Sequence, residues 1–334
     1  MRNHEKTNFL KFDTIKFITK SDYFKKELLT FNENKNPRNG IITGKYYSAK
    51  NDSSNIPFNL YIGISYPKKS MTIEFSSKIL GDDYPKLITK HTFRKCLENL
   101  NKLGICEIDI DGIMQYCYFK MLHITTDFSM ELTDEKLDTL CILGNNTMRF
   151  KWQHYETSGI TFSKDVKDEK SKDSLKIYNK EKEINLGKNK KFLSKLNDPN
   201  KIKEYFEENN TRFEAIVKGD KIKTHLDIQD THIDSVFSSK ANPILLIFNN
   251  IFGTEELKTN LSQTYSPIEW FMKNTLELYN HDIKKIKMEL RNCYSSRKVD
   301  GRIKQLRELS NRLLNESPNN STVLADIRKK LGEQ

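Results

Sequence analysis

The chain has 334 residues, enough for one large domain or two ordinary ones, each with its own hydrophobic core. Its 56 Lys and Arg residues outnumber its 45 Asp and Glu residues, giving a net charge of +11 and a pI near 9.1, a balance expected of a protein that meets phosphate groups. No apolar run approaches the roughly 20 residues that span a bilayer, and the N-terminus lacks the apolar core of a signal peptide, so we expect a cytoplasmic protein with no membrane partner.

Short β-type runs dominate the chain from about residue 8 to residue 128. They are rich in Ile, Phe, Tyr and Thr, and apolar and polar residues partly alternate along them. This pattern predicts strands at FLKFDTIKFI, NLYIGISY, SMTIEFSS, ICEIDIDG and YFKMLHITTDF.

Two amphipathic helices are predicted in the same half of the chain. In LITKHTFRKCLENLNKLG, which begins at Leu87, the apolar residues recur at helical spacing and Gly104 supplies the stop. The second helix, DEKLDTLCILG, follows Thr133 and starts with acidic residues, which favour a helix N-terminus.

A last group of strands is predicted at MRFKWQHYE, ITFSK, SLKIYNKE and TRFEAIVKG. Strands and helices thus alternate irregularly, which favours an α+β domain with a mainly antiparallel central sheet and flanking helices. The sequence contains neither GxGxxG nor GxxxxGK[ST], so no nucleotide-binding loop is expected. Its five cysteines show no zinc-type spacing, and we expect reduced thiols.

Longer helical patterns replace the strands after about Asp220. From Lys284 to the end the chain has 13 basic and 6 acidic residues, so a net charge of +7 lies in this tail. We therefore predict an α+β domain over residues 1–220 and a basic helical region over residues 221–334 that binds DNA or a partner. The sequence leaves open whether these helices bind the duplex, form a homo-oligomer or contact a helicase.

One tyrosine stands out as a candidate nucleophile. In SLKIYNKEKEI, strand alternation places Tyr178, Lys180 and Lys182 on one face. A tyrosine phenol has a pKa of about 10, so its attack on phosphorus needs a cation or a metal that stabilises the phenolate. Tyr178 and Lys180 are the candidate catalytic residues, and the alternative is an ordinary surface tyrosine.

Candidate metal ligands lie on other strands. In MLHITTDFSM, strand alternation puts His123 and Asp127 on the same side, where a nitrogen and a carboxylate oxygen can share a divalent ion such as Mg²⁺ or Mn²⁺. Glu74 in SMTIEFSS and Glu214 in TRFEAIVKG are further carboxylates on predicted strands. Each of them also fits a solvent-facing acid on a sheet.

Taken in order, these motifs resemble the gene II replication initiators of filamentous phages and related plasmid initiators, which form the rolling-circle replication family. The resemblance covers roughly residues 8–220. Its most specific parts are YNKEKE, in which Tyr178, Lys180 and Glu183 match the family's YxKxxE motif, and TRFEAIVK, in which Arg212, Phe213 and Glu214 match RFE.

Two departures from the family pattern concern the metal. The family strand commonly reads Asp-x-x-x-Asp, whereas this chain has His123 in place of the first acid and keeps Asp127. The family belongs to the HUH-type endonucleases, whose paired histidines around one apolar residue are absent here. Glu74, Ser77, Lys78 and Gly81 fit the family's first stretch loosely.

The resemblance implies metal-dependent nicking of one DNA strand at a replication origin. Tyr178 would form a 5′-phosphotyrosyl link and leave a free 3′-OH, with Lys180 stabilising charge and with His123, Asp127 and Glu74 holding Mg²⁺ or Mn²⁺. Glu183 would orient Lys180 or complete the metal shell, and Arg212 would contact phosphate or pair with a carboxylate. A host helicase and DNA polymerase are the partners that the family implies.

Three other functions remain open at the level of sequence. The chain could be an origin-binding initiator or repressor that does not cut DNA, with the Tyr178 strand as scaffold. It could be a mobilisation relaxase, which shares the same chemistry. It could also be an interaction protein unrelated to DNA, whose charge reflects an AT-biased genome.

Overall fold

Twelve strands are present in the computed structural model, which describes residues 10–50, 56–145, 150–155, 158–164, 173–253, 265–316 and 318–333. They are β1 (Phe12–Lys20), β2 (Phe24–Glu27), β3 (Asn32–Lys35), β4 (Ile42–Ser48), β5 (Leu60–Ser65), β6 (Ser70–Ser76), β7 (Cys106–Ile108), β8 (Tyr118–Phe128), β9 (Phe150–Tyr155), β10 (Gly159–Lys164), β11 (Ser174–Asn179) and β12 (Thr211–Lys218).

Ten of these strands form a single antiparallel sheet. Their order across the sheet is β3-β4-β5-β6-β1-β8-β12-β11-β10-β9, and β2 and β7 pair separately. Every pairing between neighbouring strands is antiparallel within the described residues. The prediction of an α+β fold built on a mainly antiparallel sheet is confirmed.

The helices in the first two thirds of the chain are α1 (Phe93–Lys102), α2 (Ile110–Gln115), α3 (Asp134–Asn145), α4 (Lys180–Ile184), α5 (Lys190–Leu193), α6 (Pro199–Glu208) and α7 (Lys221–Leu226). Those that follow are α8 (Ile233–Ser238), α9 (Pro243–Phe252), α10 (Pro267–Leu278), α11 (Ile283–Cys293), α12 (Ser296–Glu316) and α13 (Pro318–Gly332). None of the helices in the described ranges is both long and apolar enough to cross a membrane. Residues 1–9, which bear on the signal-peptide prediction, lie outside these ranges.

Helix α1 is shorter than its sequence pattern predicts. Ile88 pairs with Phe12 as an isolated β-bridge, and Leu87 has a positive φ of 58°, so the start of the pattern belongs to an extended segment. The chain turns into the helix only after Thr89 and Thr92, whose hydroxyls lie 3.2 Å apart. Gly104 stops it as predicted, with a φ of 69° that favours glycine.

One face of the large sheet is apolar and carries the core. Phe17, Phe119, Ile124, Ile177 and Ala215 are fully buried or nearly so. Helices α1, α3, α7, α8 and α9 supply further buried residues to the same cluster. Burial of each of the large side chains among them contributes roughly 1.5–3 kcal/mol, so this face stabilises the fold.

The opposite face of the sheet, which we call the polar face, carries most of the predicted site residues. Paired residues in an antiparallel sheet point to the same side. Pairings from strand to strand connect Tyr61 with Glu74, Glu74 with Lys16, and Lys16 with Met121. On the other side of β8, pairings place Arg212 and Glu214 of β12, and Lys176 and Tyr178 of β11, on this same face.

The helices after residue 220 fall into two groups by packing. Helices α7, α8, α9 and α13 add buried residues to the core under the sheet. Helices α10, α11 and α12 share a separate cluster that consists of Leu276, Ile283, Ile286, Val299, Ile303, Leu306 and Leu309. Helices on both sides of residue 220, the predicted boundary, therefore pack into the core under the sheet. The separate cluster begins with α10.

Gly159 provides a direct test of the β10–β11 packing. A Cβ atom at this position would lie 2.4 Å from Cβ of Tyr178 and 2.7 Å from the carbonyl oxygen of Ile177. We predict that Gly159→Ala lowers the free energy of unfolding by about 1–3 kcal/mol, because backbone must move to admit the methyl group. Urea unfolding measures the effect.

The matched control is Gly301→Ala, since a Cβ there meets nothing within 4 Å and the residue lies inside helix α12. That change should leave stability unchanged or raise it by up to about 1 kcal/mol. Equal stability of Gly159→Ala and the unaltered protein would contradict the packing described here.

Candidate active site on the polar face

Two rows of paired residues cross the middle of the polar face. In the first row, Asp127 of β8 lies opposite Arg212 of β12, and Arg212 lies opposite Tyr178 of β11. In the second row, Glu214 of β12 lies opposite Lys176 of β11. Because directly opposite Cβ atoms are about 5 Å apart, strand register alone brings these charged and phenolic groups together.

Arg212 is the centre of a buried hydrogen-bond network. Its side chain has no solvent exposure, and its Nε and Nη2 donate to the two carboxylate oxygens of Asp127 at 2.6 and 2.9 Å. Its Nη1 donates to Asp13 at 2.8 Å and to the Tyr84 hydroxyl oxygen at 3.2 Å. The guanidinium group therefore ties strands β1, β8 and β12 to the segment that carries Tyr84.

The charges in this network keep one another ionised. Burial alone would lower the pKa of Arg212, but Asp127 outweighs that effect and the pKa lies well above its usual value. Burial would likewise raise the pKa of Asp13, but the Arg212 cation holds it below its usual value. Burial raises the pKa of Tyr84 to about 12, so that its hydroxyl remains protonated.

A small hydrophobic cluster covers the network. It consists of Tyr84, Ile184, Phe192, Ile202 and Phe206, which come from residues 77–86 and from helices α4, α5 and α6. The guanidinium carbon of Arg212 lies 5.4 Å from the ring centroid of Phe206. Because this cover excludes water, every charge beneath it depends on a protein partner.

Tyr178 lies at the edge of this covered region and is only partly buried. Its hydroxyl oxygen is 3.5 Å from Oε2 of Glu214, at the long end of hydrogen-bond range. Burial, followed by the Glu214 charge, raises the pKa of Tyr178 well above its usual value. The phenol is therefore protonated in the free protein, with a carboxylate as its nearest proton acceptor.

Glu214 is held as a carboxylate by two neighbours. Its Oε1 accepts from Nζ of Lys176 at 2.8 Å and lies 3.1 Å from Nδ1 of His123. Burial would raise the pKa of Glu214, but Lys176 and His123 outweigh burial and lower it well below its usual value. Glu214 thus links the tyrosine to a lysine and an imidazole on the partly open side of the face.

The predicted placement of Lys180 and Lys182 on the Tyr178 strand is wrong. Strand β11 ends at Asn179, whose side chain caps α4 by accepting from the backbone N–H of Lys182 at 2.7 Å. Lys180 therefore begins a helix and points inward, with its Nζ 5.8 Å from the Tyr178 ring centroid, whereas Lys182 is exposed.

Lys180 and Glu183 form a buried ion pair. Their side chains are hydrogen bonded, and Glu183 also contacts Lys188 at 3.2 Å and Asn189 at 3.2 Å. Burial would raise the pKa of Glu183, but Lys180 outweighs it and the pKa falls well below its usual value. The contact with Lys180 is the one that the first of the two roles predicted for Glu183 requires.

The three predicted metal ligands do not come together as a set. His123 and Asp127 share one side of β8, as predicted, but Asp127 is engaged by both ends of the Arg212 fork. Glu74 pairs with Lys16 at 3.1 Å and accepts from Asn59 at 2.7 Å. Throughout the described ranges, no group of three or more His, Cys, Asp or Glu side chains is arranged to hold a metal ion.

A smaller donor pair remains at His123 and Glu214. An imidazole nitrogen and a carboxylate oxygen in contact are ligands suited to a divalent ion. Two protein ligands would leave most positions of such an ion to water or substrate. His123 and Glu214 thus fit part of a metal site. Of the predicted ligands only His123 belongs to this pair, and Glu214 stands in place of Asp127 and Glu74.

Three groups in the site were missed at the level of sequence. Lys176 lies two residues before Tyr178, so the alternation used for Tyr178 also places it on the same face. Asp13 lies at an irregularity in the β1–β8 pairing, and Tyr84 lies in an irregular segment, so no local pattern marks either residue.

In comparisons with known proteins, no family model, no curated protein and no solved structure matches the chain.

The Arg212 network allows a test of stability. We predict that Arg212→Leu lowers the free energy of unfolding by about 3–5 kcal/mol, because it leaves Asp127 buried without its cation. The matched control is Arg94→Leu, which breaks the exposed pair with Asp111 and should cost less than about 1 kcal/mol. Similar losses for the two variants in urea unfolding would contradict the role assigned to Arg212.

Lys78 gives a test of pH dependence. Its Nζ donates to Asn189 at 2.7 Å, and burial, followed by Lys180, lowers its pKa from 10.5 to about 8. Between these two pH values the unfolded chain binds more protons at Lys78 than the folded chain does. Lys78 therefore makes the protein more stable as pH rises from 8 to 10.5.

We predict that the stability of the unaltered protein, relative to Lys78→Met, rises by about 2–3 kcal/mol between pH 7.5 and pH 10.5. Urea unfolding of both proteins at the two pH values measures this difference, and the other titrating groups cancel. A difference that stays constant with pH would show that Lys78 is not held in the environment described.

Proposed function

We propose that this protein is a replication initiator of the rolling-circle type that nicks one DNA strand with Tyr178. The observation that carries the proposal is the Tyr178 hydroxyl lying 3.5 Å from a buried carboxylate that is itself held by Lys176 and His123. A nucleophile beside a proton acceptor, with the acceptor oriented by further groups, is the general arrangement of covalent catalysis.

The proposed reaction is a transesterification. As the Tyr178 oxygen bonds to phosphorus, its proton passes to Glu214, and the bond between phosphorus and the 3′ oxygen breaks. Because the pKa of Glu214 lies well below its usual value, Glu214 releases this proton through water to the 3′ oxygen, which becomes a free 3′-OH, while the 5′ phosphate remains on Tyr178. Since the phosphodiester bond is exchanged for a phosphotyrosyl bond, no nucleotide cofactor is needed, and the link can later be reversed to rejoin the strand.

Two lysines are placed to stabilise the charge that develops at phosphorus. Lys176 lies on the same face as Tyr178 and its side chain is partly exposed. Lys180 approaches the Tyr178 ring from the covered side, where water does not screen its charge. Preorganised cations of this kind act on the transition state without having to reorient, which is the largest contribution in many phosphoryl-transfer sites.

A divalent ion, Mg²⁺ or Mn²⁺, is part of the proposal as a cofactor, with His123 and Glu214 as the protein groups that would contact it. Such an ion supplies Lewis acidity at a phosphate oxygen. Glu74 and Asp127 have other partners: Glu74 contacts Lys16 and Asn59, and Asp127 accepts hydrogen bonds from Arg212.

DNA is the proposed substrate because phosphate binding fits the charge of the protein. The net charge is +11, and the chain from Lys284 onward contributes +7 of it. Helices α11, α12 and α13 carry this basic tail. The free 3′-OH would serve a host DNA polymerase, and strand separation would need a host helicase. The proposal also includes the fold: the central antiparallel sheet would have the strand arrangement of HUH-type endonucleases.

A nicking assay tests the proposal. Supercoiled DNA that carries the region around the protein's own gene is incubated with protein and Mg²⁺ or Mn²⁺, and the products are separated after SDS treatment. We predict that Tyr178→Phe binds this DNA but loses nicking and covalent attachment by roughly 10⁴-fold or more. Tyr294→Phe, which alters an exposed tyrosine in the basic region, should cut normally.

The other outcomes point to other functions. Equal cutting by Tyr178→Phe and the unaltered protein would remove Tyr178 as the nucleophile. Binding without cutting by both proteins, with either metal, would favour an origin-binding initiator or repressor. No salt-sensitive binding to DNA at all would favour an interaction protein unrelated to DNA.

A further inference from the structure

Two tyrosines form an aromatic pair on the polar face, far across the sheet from Tyr178. Tyr46 of β4 lies opposite Gly63 of β5, and Tyr61 of β5 lies opposite Glu74 of β6. Their ring centroids are 6.1 Å apart and the ring planes differ by only 23°. Both residues are partly exposed. The rings are thus nearly parallel and accessible from the solvent side of the sheet.

Gly63 makes this arrangement possible. A Cβ atom at Gly63 would lie 2.4 Å from the Tyr61 hydroxyl oxygen and 2.8 Å from two ring carbons. The Tyr61 ring therefore lies across the backbone at Gly63, in space that any other residue would fill. A ring that lies across a strand has one side against the sheet and the other side facing away from it.

Cations accompany the aromatic pair. Nζ of Lys16 lies 5.6 Å from the Tyr61 ring centroid and 3.1 Å from Glu74. Lys176 lies farther along the same face, and Lys218 is paired with Met121 between them. Aromatic rings interleaved with lysines on an open sheet are typical of surfaces that bind single-stranded nucleic acid, because every base has a face that can stack.

We propose that Tyr46 and Tyr61 form a base-stacking subsite for single-stranded DNA. This inference rests on the proposed function for the choice of DNA. Five strand spacings separate β5 from β11, so the subsite is roughly 24 Å from the strand of Tyr178. It therefore holds a base several nucleotides away from the phosphate that is cut, and it contributes to affinity and placement, while the chemical step takes place at Tyr178.

Fluorescence anisotropy with a 5′-fluorescein-labelled oligomer of 20 thymidines tests the subsite. The oligomer has no origin sequence, so the measurement does not depend on nicking. Tyr61→Leu keeps an apolar side chain over Gly63 but removes the aromatic face. We predict that it raises Kd roughly 5- to 100-fold, as expected for loss of one stacked base, and that Tyr46→Leu acts in the same direction.

Two control variants separate stacking from other effects. Tyr61→Phe keeps the ring and should bind within about twofold of the unaltered protein. Tyr66→Leu changes an exposed tyrosine in the turn after β5 and should also leave Kd unchanged. The salt dependence of Kd should be the same for Tyr61→Leu as for the unaltered protein, because no phosphate contact is lost.

The experiment can overturn the subsite independently of the nicking proposal. Equal affinity of Tyr61→Leu and the unaltered protein would exclude it, even if Tyr178 proves to be the nucleophile. Failure of the unaltered protein to bind the oligomer would exclude it as well. Conversely, a loss of affinity confined to Tyr61→Leu and Tyr46→Leu supports the subsite even if no strand is cut. Circular dichroism of each variant confirms that the sheet is intact.

Discussion

The ion pair between Arg212 and Asp127 is the interaction on which the rest of the site depends. A fully buried guanidinium group is costly to remove from water, and here its hydrogen-bonding capacity is largely met by Asp127, Asp13 and the Tyr84 hydroxyl. Because these partners come from β8, β1 and the segment after β6, the network fixes the central strands in a single register. A shift by one residue would leave the Arg212 charge in the apolar core on the other face.

The register set by this network also positions the candidate nucleophile. Tyr178 is the partner of Arg212 across β11 and β12, and Glu214 and Lys176 form the next pair along the same two strands. The chemical groups therefore lie on regular strands rather than on loops, which limits their motion. The division of the sheet into an apolar face and a polar face keeps this cluster separate from the core.

The sequence predicted the parts of the structure that depend on local patterns. Alternation located strands β8, β11 and β12 and put His123 and Asp127 on one side, and glycine at position 104 ended α1. Alternation failed for Lys180, because Asn179 caps a helix there. An asparagine followed by Lys-Glu-Lys-Glu is a helix-start signal, and here it overrides the strand pattern.

The parts that could not be predicted depend on contacts between distant segments. Asp13 and Arg212 are 199 positions apart in the chain, and nothing local to either residue indicates the other. The same holds for the metal ligands, since Asp127 is a plausible ligand until its bidentate contact with Arg212 is known. Motif resemblance pointed to Tyr178, Arg212 and Glu214 as candidates, but their mutual geometry needed the fold.

Identification of the residue that becomes attached to DNA tests the central claim most directly. The covalent complex with a single-stranded origin oligonucleotide is digested with trypsin and nuclease, and the peptides are analysed by mass spectrometry. We predict a nucleotide on the four-residue peptide 177–180, which contains Tyr178. A nucleotide on a peptide that contains any other tyrosine would contradict it, and so would the absence of a covalent adduct under conditions in which the strand is cut.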